Sequence, residues 1–216
     1  MLSILRSLVQ EVNSARDLQE ALDVIVSRVQ KAMDTEVCSV YLLDPATNRY
    51  ILMATEGLYQ QAVGQVSLAY SEGLIGLVGS REEPINLEDA PSHPRYRYFP
   101  ETGEERFRSF LGVPIIHHRR VLGVLVVQQR ESSRCFDEGE EAFLVTVSAQ
   151  LAGVIAHSEA TGAISGLSLT GEEATDVSFS GVPGAPGDFH GFVIRKLDDG
   201  EHIYGPRLGG QNILKL

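Results

Sequence analysis

Two histidines and two arginines, at positions 117 to 120, are the residues of this sequence best placed for chemistry. They stand together between the apolar runs SFLGVPII and VLGVLVVQQ. Imidazoles bind metal ions, and an arginine pair can clamp a phosphate. However, neighbouring residues of a strand point to opposite faces, and no Cys, Asp or Glu occurs in the next ten residues to complete a metal shell. We therefore interpret His117, His118, Arg119 and Arg120 as the tip of a β-hairpin and expect no metal site there.

The other residues with chemical potential also favour structural roles. Cys38 begins an apolar run, where a cysteine behaves as a small core side chain. Cys135 lies in the polar stretch SSRCFD, which contains no motif that activates a thiol. The glycines of GLIGLVG, residues 73–79, have neither GxGxxG spacing nor a Walker lysine. We expect no catalytic residue in this chain.

Composition narrows the class of protein. The 216 residues are 43% apolar and 22% charged, as in ordinary globular proteins. The 29 acidic and 18 basic residues give a net charge of −11, which argues against nucleic-acid binding. Arg6 and Glu11 interrupt the apolar N-terminus, which therefore lacks a signal-peptide core, and the uncharged run 142–157 is too short to span a bilayer. We expect a cytoplasmic protein that does not bind membranes.

The apolar pattern predicts helices and strands over the first 160 residues. Helical spacing occurs at residues 5–12, 18–33 and 143–155. Ser14 to Asp17 fits a capping box for the second of these helices, and Asp137 is the predicted cap of the third. VCSVYLLD and RYILMATEG form one predicted hairpin, and the runs around His117 form another. Residues 71–80 fit a short helix or turn, EPINLEDA fits a brief strand, and 91–108 fit a long irregular loop. Consecutive strands joined by short turns indicate an antiparallel sheet with helices packed on one face, an α+β fold.

Residues 71–115 have the sequence SEGLIGLVGSREEPINLEDAPSHPRYRYFPETGEERFRSFLGVPI. This stretch resembles the GAF domain at the N-terminus of nitrogen-related enzymes I of the phosphotransferase system. The preceding ATEGL and the following VLGVLVVQ fit the general GAF pattern. The resemblance implies a GAF-type, profilin-like domain over residues 1–160, with a six-stranded antiparallel sheet and helices on one face.

A second, shorter resemblance lies in the tail. Residues 161–178 have the composition of a linker, and FSGVPGAPG with FVIRKL resembles the entry to the swivelling phosphohistidine domain of enzyme I. Asp188, Phe189 and His190 depart from the family pattern, so residues 179–216 are either the start of that domain or a divergent or disordered tail. The family's phosphohistidine motif is absent from this chain.

The resemblance also implies a function. A regulatory GAF domain would bind a small nitrogen- or carbon-status metabolite, glutamine or 2-oxoglutarate, and modulate phosphoenolpyruvate-dependent phosphoryl transfer by an attached enzyme I. The irregular segment would then cover the free sheet face and enclose a pocket, which we expect to involve Tyr41, Ile75, Tyr96, Tyr98, Phe99, Phe107, Arg108 and Phe110. The alternative is that these aromatic residues fill the domain's own core and the chain is a dimerisation module without a ligand.

Partners follow from the same resemblance. We expect no cofactor in this chain; magnesium and a phosphocarrier protein would belong to the catalytic part of such an enzyme. A homodimer through the terminal helices is expected, with Leu5, Leu8, Val9 and Val12 on the first helix and the small-residue side of the last helix at the seam. The alternative for the first helix is that it folds back on its own domain.

Overall fold

The apolar residues change from helical spacing to alternation at Val37, and the secondary structure changes at the same place. The computed structural model describes residues 2–102, 107–130, 134–160, 193–197 and 200–204. The helices are α1 (Leu2–Asn13), α2 (Leu18–Ala32), α3 (Gly73–Arg81) and α4 (Glu138–Ala160). The strands are β1 (Val37–Asp44), β2 (Arg49–Glu56), β3 (Ser67–Ala69), β4 (Ile85–Leu87), β5 (Ser109–His117), β6 (Arg120–Gln129), β7 (Val193–Leu197) and β8 (Gly200–Tyr204).

The helix caps confirm one sequence prediction and correct another. Asp137 caps α4, because its carboxylate accepts from the Glu140 N–H at 2.8 Å while the Glu140 carboxylate accepts from the Asp137 N–H at 2.9 Å. The box predicted at Ser14 to Asp17 is wrong: Asp17 itself is the cap of α2 and accepts from the Glu20 N–H at 2.8 Å. The Ser14 hydroxyl instead donates to the Gln10 carbonyl at the end of α1.

Six strands form one antiparallel sheet in the order β3-β2-β1-β6-β5-β4. Both predicted hairpins are present, β1–β2 and β5–β6. His118 and Arg119 form the tip of the second hairpin with φ angles of 46° and 64°, which confirms a turn at this position. The His117 and His118 rings meet at 4.2 Å between centroids instead of pointing to opposite faces, because the strand alternation ends at the tip. Within the ranges described, His, Cys, Asp and Glu form no metal-binding group.

The sheet separates two hydrophobic cores. Alternate residues such as Val40, Leu111 and Val113 pack with α1, α2 and α4, as the predicted one-sided helix layer requires. Their neighbours along the strands, among them Tyr41 and Phe110, form the second core with the short helix α3 and the segments around it. The predicted α+β architecture with a six-stranded antiparallel sheet is confirmed.

Helix α4 belongs to the helix-side core. It is long and apolar enough to cross a membrane by length and composition alone. Its large apolar residues Phe143, Leu144, Val147 and Leu151 are buried in the core. Core packing therefore accounts for the apolar residues on the inner side of this helix.

Chain contacts divide the molecule into two units, Met1–Ser168 and Leu169–Leu216. In the second unit the structure describes an antiparallel hairpin of β7 and β8, whose first strand coincides with the strand-like FVIRKL. The predicted linker at 161–178 and the unusual Asp188 to His190 lie outside the described residues. The predicted domain division at these positions therefore stays a prediction.

Candidate functional site

A small cavity lies on the sheet face opposite the three long helices. Its volume is about 30 Å³, which is about the share of one water molecule in the liquid. Three parts of the chain enclose it: the inner strands of the sheet, helix α3 and a loop, residues 93–99, which we call the covering loop. The lining residues are Tyr41, Leu68, Gly73, Leu74, Ile75, Tyr96, Arg97, Phe99, Phe110 and Gln128.

The sheet wall comes mainly from three neighbouring strands, and Leu68 of the edge strand β3 adds to it. Tyr41 lies on β1, Gln128 on β6 and Phe110 on β5, where Phe110 pairs with Gln128. All three side chains are buried. The ring of Phe110 fits because position 112 is glycine: a Cβ atom there would approach the Phe110 ring to 2.8 Å. The wall thus combines an apolar ring with a phenol and an amide.

Helix α3 lies close to the chain beneath it because of its glycines. A Cβ at Gly76 would lie 2.8 Å from the Tyr70 carbonyl oxygen, and one at Gly79 would lie 1.9 Å from the Tyr50 hydroxyl oxygen. Gly73, the first residue of the helix, has a φ of +67°, which glycine adopts without strain. The GLIGLVG stretch therefore has a packing role, which agrees with the absence of a phosphate-binding pattern in the sequence.

Arg95 makes polar contacts that hold the covering loop. The Arg95 guanidinium donates to the Ser71 carbonyl, and the Arg95 N–H donates to His93 Nδ1 at 3.1 Å. The stem of Arg97 lies over Gly73, since a Cβ on that glycine would be 3.7 Å from the Arg97 Cβ. Tyr96 and Phe99 are half-buried against the second core. The covering loop is the wall with the least regular backbone.

The structure brings together most, but not all, of the side chains predicted for the pocket. Tyr41, Ile75, Tyr96, Phe99 and Phe110 line the cavity. The other three predicted residues are not among its lining residues, and their assignment to a ligand stays a prediction.

Those three residues have other surroundings. Tyr98 is 39% exposed. Phe107 packs with Val37 and Leu58 beneath the Arg130 guanidinium. Arg108 is exposed and pairs with Asp89 at 3.9 Å. In an irregular loop no period indicates which side chain points inward, so the sequence did not separate these residues from Tyr96 and Phe99.

Five lining residues were not among the eight predicted for the pocket: Leu68, Gly73, Leu74, Arg97 and Gln128. For Gln128 a signal existed: it continues the alternation of Val124 and Val126, which face the second core. A glutamine near a strand end resembles the polar start of a loop, so its inward position was overlooked.

The lining residues are apolar, aromatic, amide and guanidinium side chains and glycine. Among the ten residues that enclose the cavity there is no Cys, His, Asp or Glu. Cys38 lies in the helix-side core, where burial raises the pKa of its thiol and keeps it protonated. Cys135 is exposed, with its thiol 3.6 Å from the Asn86 amide oxygen. Neither thiol lines the cavity.

Comparison with known proteins gives the family. The sequence model of the GAF domain matches residues 17–155, more than half of the chain. This chain belongs to the GAF domain family. The match spans the whole sheet and the cavity, and ends within α4.

Relatives of this GAF domain occur in phosphotransferase proteins. A protein of the phosphoenolpyruvate-dependent phosphotransferase system from Salmonella typhimurium is 50% identical over 161 residues, which are 74% of this chain and 21% of that protein. The GAF domain of a Coxiella burnetii phosphoenolpyruvate-protein phosphotransferase is 52% identical, with a TM-score of 0.73 over 76% of this chain and 96% of that one. The corresponding Acinetobacter domain is 51% identical, with a TM-score of 0.69 over 76% and 97%. The chain thus spans about a fifth of the curated relative and nearly all of the solved GAF domains.

Proposed function

We propose that this GAF domain is a regulatory sensor that binds a small nitrogen- or carbon-status metabolite and modulates phosphoenolpyruvate-dependent phosphoryl transfer by an attached enzyme I. The relatives support the setting, since GAF domains about half identical to this one belong to phosphoenolpyruvate-protein phosphotransferases. Glutamine and 2-oxoglutarate are the proposed ligands. The proposed location is the cytoplasm, as for soluble phosphotransferase proteins.

The cavity carries this proposal. It contains an amide, two phenols and a guanidinium within an otherwise apolar wall, the composition of a small-ligand site. Its volume of about 30 Å³ is too small for a whole metabolite, so binding requires one wall to move. The sheet and α3 are fixed by regular hydrogen bonding and by glycine contacts, whereas the covering loop has neither helix nor strand structure. We therefore propose that a ligand enters by displacing the covering loop.

The same small volume supports the alternative, a dimerisation module whose pocket is filled by Tyr96 and Phe99. The two functions differ in one measurable respect. If the domain is a sensor, isothermal titration of the chain with glutamine and with 2-oxoglutarate should give saturable heat, and each ligand that binds should raise the melting temperature. Absence of both effects at millimolar concentration would favour the module.

A homodimer remains a proposal, with a modified seam. Leu8 and Val12 of the predicted stripe are buried within their own domain, where α1 packs against α2, whereas Leu5 and Val9 are half-buried. On the described parts of the terminal helices, the exposed large apolar side chains are Ile4 on α1 and Val145 on the outer side of α4, which also includes Gly153. We propose that dimers form through this outer surface of α4. The phosphocarrier protein and magnesium are proposed to act with the catalytic part of the attached enzyme.

A further inference from the structure

Gly153 lies within helix α4 without a packing reason inside its own domain. Glycine destabilises the interior of a helix relative to alanine, so a glycine there usually has a packing or functional role. The glycines of α3 have such a role, because a Cβ at Gly76 or Gly79 would collide with the chain beneath that helix. A Cβ at Gly153 would instead meet no atom within 4 Å in the part of the chain that the structure describes. A close neighbour from outside the domain would explain this glycine.

The surface around Gly153 is uncharged and partly apolar. From position 142 to position 156 α4 contains no Asp, Glu, Lys or Arg, and 39% of its most apolar stretch of 18 residues is buried. The exposed residues of this part of the helix share one face: Ala142, Val145, Thr146, Ala149, Gln150 and Gly153. Val145 is the large apolar side chain of this face and is 40% exposed. An uncharged face with an exposed apolar side chain is typical of a surface that packs against another protein.

Val145 and Gly153 match each other as a knob and a hole. They are eight residues apart, which places them on the same side of the helix and about 12 Å apart along its axis. The hole is the space above Gly153, between the methyl side chains of Ala149 and Ala156. A valine fits such a hole on a facing helix. A second α4 that runs in the opposite direction would place Val145 of each copy over Gly153 of the other, in a two-fold symmetric contact.

The charges of α4 favour the same direction. Glu138, Glu140 and Glu141 lie in its first turn and His157 in its last. Arg134 pairs with Glu140, which leaves two acidic side chains in the first turn without a cation among the described residues. Parallel pairing would place the acidic turns of two copies side by side, where like charges repel. Antiparallel pairing separates these turns by the length of the helix, about 35 Å, and places each beside the His157 turn of the other copy.

We propose that two copies of this chain associate through an antiparallel, two-fold symmetric pairing of α4, in which Val145 of each copy packs over Gly153 of the other. The inference rests on the proposed homodimer and adds a direction and a register to it. The two-fold axis passes near Ala149, the midpoint between positions 145 and 153. The pairing gives Gly153 its close neighbour and covers the exposed valine.

Cysteine cross-linking of the chain tests the direction of the pairing. A disulfide forms when two Cβ atoms are about 3.5–4.5 Å apart. With copper phenanthroline as the oxidant, Ala149→Cys should cross-link with itself because it lies near the axis. Val145→Cys and Gly153→Cys should cross-link when the two variants are mixed, and neither should cross-link alone. Asp23→Cys, at an exposed position of α2, is the control for random collisions.

The cysteine variants share one background, and a further variant gives a second measurement. Cys135→Ser removes the exposed native thiol, whereas Cys38 is buried and stays. Gly153→Leu should leave the monomer folded, since a Cβ at this position has open space around it. The larger side chain fills the hole and should raise the dissociation constant of the dimer at least about tenfold.

The outcomes separate this pairing from the dimer on which it rests. Cross-linking of the mixture but of neither single variant, with weaker association of Gly153→Leu, supports the proposal. Self-cross-linking of Val145→Cys or Gly153→Cys as strong as that of Ala149→Cys indicates a parallel pairing. That result overturns the proposal and leaves the dimer standing, as does unchanged association of Gly153→Leu. A wild-type dimer whose α4 variants cross-link no more than Asp23→Cys also overturns the proposal, because another surface then forms the dimer. A monomer mass for the wild-type chain at tens of micromolar overturns both.

Discussion

The hydroxyl of Tyr50 provides a quantitative test of the packing between α3 and the sheet. The side chain has 0% exposure, its ring stacks on Tyr70 at 5.9 Å, and within the described ranges its buried hydroxyl has no hydrogen-bond partner. Burial raises the pKa of this phenol, so it stays neutral at physiological pH. A buried polar group without a partner costs about 1–3 kcal/mol. The void left by one oxygen atom is smaller than a methyl group and costs less than about 1 kcal/mol.

Tyr50→Phe is therefore expected to raise the free energy of unfolding by about 0.5–2 kcal/mol. Urea unfolding followed by circular dichroism measures this change, since the chain contains no tryptophan for fluorescence. With an m-value of about 2 kcal/mol/M, a gain of about 1 kcal/mol moves the midpoint up by about 0.5 M. Tyr59→Phe, at a 56% exposed tyrosine, should leave the midpoint unchanged. A lower midpoint for Tyr50→Phe would refute the reasoning, because it would mean that the hydroxyl is satisfied in the folded protein.

The contact of Tyr50 with Gly79 extends the test to a double-mutant cycle. A Cβ at position 79 would lie 1.9 Å from the hydroxyl oxygen and 2.8 Å from Cζ of the ring. Gly79→Ala should thus destabilise the domain by about 1–3 kcal/mol, although alanine is the better helix former by about 1 kcal/mol. Removing the hydroxyl relieves only the closer of the two contacts. Gly79→Ala should therefore lower the free energy of unfolding in the Tyr50→Phe background as well, but by less than in the wild type. Strictly additive effects would contradict the close approach of α3 to Tyr50.

Three further predictions concern the surface and the proposed partners. Val145→Glu places a charge on the outer side of α4 and should shift a dimer to monomers in light scattering. A monomer mass for the wild-type chain at tens of micromolar would contradict the dimer proposal. The chain incubated with labelled phosphoenolpyruvate and magnesium should acquire no acid-labile phosphate, and stoichiometric labelling of any histidine would contradict its purely regulatory role. The Arg28 side chain lowers the pKa of Glu11, so this pair stabilises the fold above the ordinary carboxyl pKa and the contribution is lost as the pH falls below about 4.5. Glu11→Gln should remove that part of the acid dependence in pH-dependent unfolding, and an unchanged profile would show that the exposed pair contributes nothing.

The sequence predicts the fold well because its apolar residues follow both the helical spacing and the strand alternation closely. Alternation in β1, β2, β5 and β6 marks the hairpins, and the Asp137–Glu140 pair marks the start of α4. Asp17 was misassigned because two overlapping patterns, Ser14 to Asp17 and Asp17 to Glu20, both fit a cap, and only backbone geometry decides between them. Local signals thus predict the elements more reliably than their exact ends.

The site is less predictable because it depends on contacts between distant segments. Aromatic residues in a long loop indicate that the loop packs, and Tyr96 and Phe99 do line the cavity. Phe107 fills a separate cluster instead, since its position depends on Val37 and Leu58, which lie far away in sequence. The alternation of β6 indicates the face of Gln128, but its position beside Phe110 depends on the register between β5 and β6. The neighbours of Phe107 and Gln128 have no signal within the local sequence.

The central claim is that the cavity between the sheet, α3 and the covering loop binds a metabolite. Nuclear magnetic resonance of the isotope-labelled chain, titrated with glutamine and 2-oxoglutarate, tests it most directly because each residue reports separately. The account predicts saturable shifts at Tyr41, Ile75, Tyr96 and Gln128 with either metabolite, and none at Val24 of α2, which packs against the helix-side core. Spectra that remain unchanged at millimolar metabolite, or shifts confined to residues outside the cavity, would contradict it.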